Sequence, residues 1–249
     1  MRLWKPALFS TPMVQTILDG HKTMTRRVTR PQPDEDPGRP LAVIGDLLYR
    51  WVAVPARATS PMAPERAGFA VLGNHKPIRC PWPVRTRLYV KEKWGCPDAD
   101  HPRCKDGRKP RAGDRFVYGA DPADAYQWRG GGGCGDFAWR SSRFMFRFVA
   151  RIGLEVTAVR CQQVQDITIR DAIHEGIDLG MTSCDGDARL ADTLACPPHV
   201  YDDWIALWDS LNAKRGYGWA VNPWVFAYTF TVLSTDYAET QRLMTEDAA

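Results

Sequence analysis

The chain has 249 residues, of which 44% are apolar, 11% aromatic and 25% charged, the balance of a folded globular protein rather than a disordered or low-complexity one. This length exceeds one minimal domain and falls short of two average ones, so one elaborated domain with insertions is expected. Thirty-three Lys and Arg against 29 Asp and Glu leave a net charge of +4, too small a bias to indicate a polyanion partner by itself. No stretch approaches the roughly 20 consecutive apolar residues of a membrane-spanning helix. Pro6 and the polar run from Thr11 interrupt any signal-peptide core, so a cytoplasmic protein with no membrane partner is expected. Seven cysteines, an odd number, fit free thiols in a reducing compartment better than a disulfide framework.

Along the chain, Thr11 is placed to cap a helix with Pro12 at its first position, and Val14, Ile17 and Leu18 share one face. Gly20 suits the left-handed residue that closes it. His21 and Lys22 then belong to a turn, and Thr23 to Val28 to a strand. Residues 31–64 are proline-rich, interrupted by an apolar stretch from Leu41 to Val54 that fits a strand or hairpin arm. Arg87 to Trp94 alternates as a strand with Glu92 on its apolar side, and Arg115 to Tyr118 is a shorter strand candidate. Phe144, Phe146 and Phe148, then Ile152, Leu154 and Val156, predict two strands joined near Gly153 or one bent strand.

Thr168 can cap a short helix stopped by Gly176, with His174 and Glu175 in its last turn. Tyr201, Trp204, Ile205, Trp208 and Leu211 predict an amphipathic helix ending at Lys214, Arg215 and Gly216. Pro223 opens an alternating strand through Val232, and from Ser234 the tail is polar and expected to fray. The strands lack a regular alternation with helices, so the fold class expected is α+β, a small barrel or curved sheet with short flanking helices and long loop insertions.

The run Gly20-His21-Lys22-Thr23-Met24-Thr25-Arg26-Arg27 packs three cations and two threonines behind a helix, which by itself is an ordinary solvated basic turn. The run resembles the signature of the ASCH domain family, relatives of the PUA fold, in which Gly-x-Lys is followed by a polar residue and an Arg. Here these are Gly20, Lys22, Thr25 and Arg27. The stretches Arg87 to Trp94, Asp171 to Ile177 and Leu211 to Phe226 are similar, in order, to the rest of a longer phage- and prophage-associated branch. The resemblance implies a small PUA-like β-barrel over 1–235, with insertions near 31–80, 95–140 and 178–199 and a polar tail over 236–249.

Small bacterial members of that family are amidohydrolases acting on N4-acylated cytidine, including N4-acetylcytidine, through a Lys, a Thr and a Glu. The resemblance places these roles on Lys22, Thr25 and Glu175. Chemically, a Thr hydroxyl becomes a nucleophile when a neighbouring base takes its proton, and desolvation with nearby cations such as Arg26 and Arg27 can make a lysine that base. Glu175 then carries a proton to the departing cytosine nitrogen and activates water, or a water oriented by Thr25 attacks directly. No cofactor is implied, and the partner is a modified cytidine nucleoside or base. The alternative is an RNA- or DNA-binding module using Arg26, Arg27, Arg87 and Lys91 as phosphate contacts, and a blander one is an accessory protein with a structural pocket.

Arg26 and Arg27 are also candidates for substrate binding. Trp94, Trp139, Trp219 and Trp224 are candidates to stack a pyrimidine, with Tyr217 and Trp219 favoured by the glycines around them. Trp204 and Trp208 are expected in the core. Cys80, Cys96, His101 and Cys104 could supply four zinc ligands but lack a paired C-x2-C knuckle, so no metal is assigned. Gly130 to Gly133 lacks the Lys-Ser or Lys-Thr of a phosphate loop and reads as a flexible linker. Nothing in the sequence sets the oligomeric state.

Overall fold

A computed structural model of the chain describes residues 4–32, 41–44, 47–50, 78–96, 109–121, 139–177 and 199–248. Most of the three expected insertions, including Gly130 to Gly133, His101 and Cys104, lies outside the described residues. The elements are β1 (Lys5–Leu8), α1 (Thr11–Leu18), β2 (Met24–Val28), β3 (Leu41–Ile44), β4 (Leu47–Arg50), β5 (Ile78–Arg79), β6 (Arg87–Lys91), β7 (Trp94–Gly95), β8 (Val117–Tyr118), β9 (Gly153–Gln163), α2 (Ile169–His174), α3 (His199–Asn212), β10 (Trp224–Ser234) and α4 (Tyr237–Glu246). Helices and strands are mixed without regular alternation, so the fold is α+β.

The main sheet has five strands in the order β1-β6-β9-β10-β2. β1 pairs parallel with β6 and the other neighbours are antiparallel. β10 is interior to the sheet, and Val225 through Tyr228 are buried in unbroken succession, as expected of a strand covered on both faces. Val14 and Ile17 seat α1 against this sheet in one core cluster with Leu88, Val90, Leu154 and Phe230. A second cluster gathers Trp204 and Trp208 of α3 with Ala172 of α2 and Val225. A third joins Trp4, Trp94, Met145 and Val149 to Met244 of α4.

β1 and β2 are the two sheet edges, and among the described residues no ladder joins them. Backbone pairing therefore leaves the sheet open where a closed barrel would have its last seam. The edges still approach one another, because Arg27 Nη2 on β2 donates to the Leu8 carbonyl at the end of β1 over 2.6 Å. A side chain can bridge the two edges only if the sheet curls, and the gap it spans becomes a cavity.

Several expectations change. Ser10, with extended φ −76° and ψ 161°, occupies the N-cap of α1, and Thr11 is its first helical residue with Pro12 inside the first turn. Leu211 of α3 is 44% exposed rather than buried. The expected hairpin arm between Leu41 and Val54 is present as β3 paired with β4. The phenylalanine run is not a strand but two 3-10 turns, Ser142–Phe144 and Arg147–Val149. Its period-2 pattern comes from ring contacts between neighbours, with Phe146 stacked on Phe148 at 5.2 Å. The extended structure starts at Gly153, where a Cβ would meet the Trp4 ring at 3.0 Å. Trp94 belongs to a separate short strand paired with Tyr118, since Glu92 between them turns inward to bond Arg151.

The C-terminal segment does not fray. Asp236 caps α4 by accepting from the Glu239 amide, Thr240 and Met244 are buried, and Asp247 accepts from Trp4 Nε1 at 2.7 Å and from Arg87 at 2.8 Å.

Candidate active site

The site is built on the turn after α1. Gly20 takes φ +78°, and the His21 and Lys22 amides then both donate to the Thr16 carbonyl at 2.9 Å. The Thr23 amide donates to the His174 carbonyl at 2.8 Å, and Thr23 Oγ1 shares a 2.7 Å hydrogen bond with His174 Nδ1. The turn is thereby clipped to the end of α2. α2 begins as expected, with Thr168 accepting from the Asp171 amide, and Glu175 is its C-cap. Gly176 stops it at φ +90°, where a Cβ would lie 2.7 Å from Thr16 Oγ1. A glycine is required there both by the dihedral and by the closeness of α1.

This clip buries Lys22 against Glu175. Lys22 Nζ donates to Glu175 Oε2 at 2.8 Å and to the Glu175 carbonyl at 2.6 Å. Glu175 Oε1 accepts from Arg26 Nη1 at 3.1 Å, and Arg26 Nη2 reaches Asp171 Oδ2 at 2.6 Å. Asp171 precedes Glu175 by one helical turn, so both carboxylates face the same way. Asp171 also accepts from the half-exposed Arg160 at 2.8 Å. The side chains of Lys22 and Arg26 are fully buried and that of Glu175 is 3% exposed, so these charges are compensated by pairing rather than by water. Burial lowers the Lys22 ammonium from the usual lysine value; Glu175 opposes this, and Arg27 and Arg26 add to it.

A cavity of about 540 Å³ opens above this network between the two sheet edges and α3. Thr25 and Glu175 share its wall with Phe9, Trp204 and Trp208. Thr25 sits on β2 opposite Tyr228 and is 4% exposed. Among the described residues its hydroxyl forms no hydrogen bond. Lys22 lies directly behind the carboxylate, so the cavity holds a free hydroxyl beside a carboxylate backed by a desolvated amine.

The other expected ligand contacts divide. Arg26 lines the cavity but is occupied with Glu175 and Asp171. Arg27 lines it with its guanidinium over the Phe9 ring at 5.2 Å, and its Nε is buried without a hydrogen-bond partner. Trp94 is not on the wall: it is fully buried in the cluster with Trp4 and Cys96, on another side of the fold. Trp219 packs edge-on against Tyr201 and its amide donates to Asp209, so it too is structural. Tyr217 is off the wall but adjoins its rim, with the Arg30 guanidinium 5.6 Å above its ring. Trp139 faces Lys93 at 4.9 Å, and neither it nor Trp224 is on the wall.

The rings that do line the cavity are Phe9, Trp204 and Trp208, the last two buried in the core on one side while facing the cavity on the other. Asp171, Arg160, Arg30 and Arg215 also belong to the site, and sequence reasoning did not single them out. The Asp171 to Glu175 spacing on a capped helix was the one available signal. Cys80 Sγ lies 3.6 Å from the Tyr228 hydroxyl and Cys96 Sγ 3.7 Å from Asp114 Oδ2, in two different core clusters. Among the described residues no group of three or more His, Cys, Asp or Glu could hold a metal. Burial, together with Cys80, pushes the Cys161 thiol up to about 12, which leaves it protonated and unreactive at neutral pH. No described helix is long and apolar enough to cross a membrane.

Compared with protein-family models, curated proteins and solved structures, the chain gives no significant match.

Proposed function

We propose that this cavity hydrolyses the exocyclic amide of an N4-acylated cytidine or cytosine, on a PUA-like barrel parted between β1 and β2. The observation that carries the proposal is that Thr25 and Glu175 share one cavity wall while Lys22, buried behind it, bonds the Glu175 carboxylate, the three positions to which the ASCH resemblance assigns the chemistry. The free Thr25 hydroxyl attacks the acyl carbonyl, its proton passing to the Lys22 amine. Lys22 passes that proton across its hydrogen bond to Glu175, which delivers it to N4 as the C–N4 bond breaks, leaving an acyl-threonine. Water, deprotonated through Glu175, releases the acid and restores Thr25. The net reaction consumes one water and yields cytidine and a carboxylic acid. Phe9, Trp204 and Trp208 offer the flat apolar walls that a pyrimidine stacks on.

A binding module without catalysis would need Arg26, Arg27, Arg87 and Lys91 on one free surface. Arg26 is buried in ion pairs, Arg87 is held by Asp247, and Lys91 donates to the Arg143 carbonyl. These placements favour the hydrolase. Incubation with N4-acetylcytidine, followed by chromatography, tests it: stoichiometric cytidine and acetate are expected, and an unchanged substrate would refute it.

A further inference from the structure

The charge on the cavity wall is not balanced. Lys22 and Arg26 are matched beneath it by Glu175 and Asp171. Arg27, Arg30 and Arg215 also line the cavity, and none of the three has a carboxylate within ion-pair distance among the described residues. Their contacts are neutral. Arg27 donates to the Leu8 carbonyl, Arg30 stands over the Tyr217 ring, and Arg215 donates to the Leu211 carbonyl and Asn212 Oδ1. Burial lowers the Arg27 guanidinium from its usual value; Glu175 and Tyr228 oppose this, and the like charge of Arg215 adds to it. Glu175, the carboxylate on the wall, already serves Lys22 and Arg26.

Three arginines on one cavity wall suit a multiply charged oxyanion, because each guanidinium fork donates in a plane to two oxygens. The wall also holds the Phe9, Trp204 and Trp208 rings and Thr25. We infer that the ligand of this cavity is a nucleoside bearing a phosphate, held by Arg27, Arg30 and Arg215 while its base reaches Phe9, Trp204 and Thr25. This deepens the hydrolase reading and rests on it for the identity of the base. The cavity, about 540 Å³, is of the size that small-molecule sites have, so the phosphate is that of a free nucleotide, and the reaction supplying the substrate acylates a nucleotide, phosphorylates an acylated nucleoside or releases an acylated nucleotide from a polymer.

Titration calorimetry with cytidine 5′-monophosphate and with cytidine tests this without requiring turnover. The expected result is about tenfold or tighter binding of the nucleotide, equivalent to about 1.4 kcal/mol. That advantage shrinks as salt rises from about 50 to about 500 mM. Arg30→Gln and Arg215→Gln alter exposed side chains, and each is expected to bring the nucleotide-to-nucleoside ratio towards one, with circular dichroism confirming the fold. A cytidine-containing trinucleotide separates the sources: weaker binding than the monophosphate supports the free nucleotide, and tighter binding overturns that assignment in favour of a polymer. Equal affinity for cytidine and its monophosphate overturns the phosphate site while leaving the hydrolase intact. A nucleotide preference in a protein that hydrolyses no acylcytidine would refute the hydrolase and retain the phosphate site.

Discussion

Lys22 and Glu175 lie 153 residues apart in the chain and meet as a buried pair, Nζ to Oε2 at 2.8 Å. Removing one partner strands the other charge out of water, which costs about 3–5 kcal/mol. Glu175→Gln is therefore expected to lower unfolding free energy by that order, since Arg26 loses a countercharge as well. The double variant Lys22→Met with Glu175→Gln should lose less than the sum of the two single changes. Urea unfolding of all four proteins measures the coupling, and additive losses would show that the pair is not energetically linked.

Thr25 separates chemistry from stability more cleanly. Its hydroxyl bonds no described residue, so Thr25→Ala should cost about 1 kcal/mol or less. Acyl release should fall by about 10³-fold or more, while Thr25→Ser keeps part of it. Comparing kcat with the thermal midpoint of each variant checks this, and an inactive protein that is also unfolded would not count as agreement.

The pH dependence follows from Lys22. Burial places its folded pKa below the ordinary lysine value of 10.5, and it must lose its proton to act as a base. The rate should thus rise with pH through an ionisation below 10.5. The same shift has a stability sign. The unfolded chain binds a proton here that the folded chain releases, so the Lys22 contribution to stability rises with pH between the folded pKa and 10.5. Below the folded pKa the penalty is complete. Unfolding free energy of the wild type minus that of Lys22→Met, followed against pH, should show that slope.

Gly176 ties the site to the fold. With φ +90° and a Cβ position 2.7 Å from Thr16 Oγ1, Gly176→Ala should destabilise by about 1–3 kcal/mol. It should also displace Glu175, lowering kcat beyond what the stability change explains. Chemical denaturation and steady-state rates on the same preparation measure both.

Local signals made much of this legible. Gly20 and Gly176 are read correctly as helix stops because a left-handed residue leaves few alternatives, and the amphipathic spacing of Trp204 and Trp208 locates α3. The same reasoning misplaced Trp94 and Trp219 as ligand contacts, because an aromatic residue's identity does not say which side of a core it fills. Trp204 shows the converse, a core residue whose other side faces the cavity. Arg30 and Arg215 were illegible, since what distinguishes them is the lack of a carboxylate partner in space. Asp236 and Glu239 carried an N-terminal helix signal that the polar composition of the tail concealed.

The most direct test of the whole account is a turnover assay on N4-acetylcytidine and its 5′-monophosphate with the wild type, Thr25→Ala and Glu175→Gln. Release of acetate by the wild type, absent from both variants while Thr25→Ala keeps its fold, is the predicted result. Undiminished release by folded Thr25→Ala, or no release by the wild type from either substrate, would contradict it.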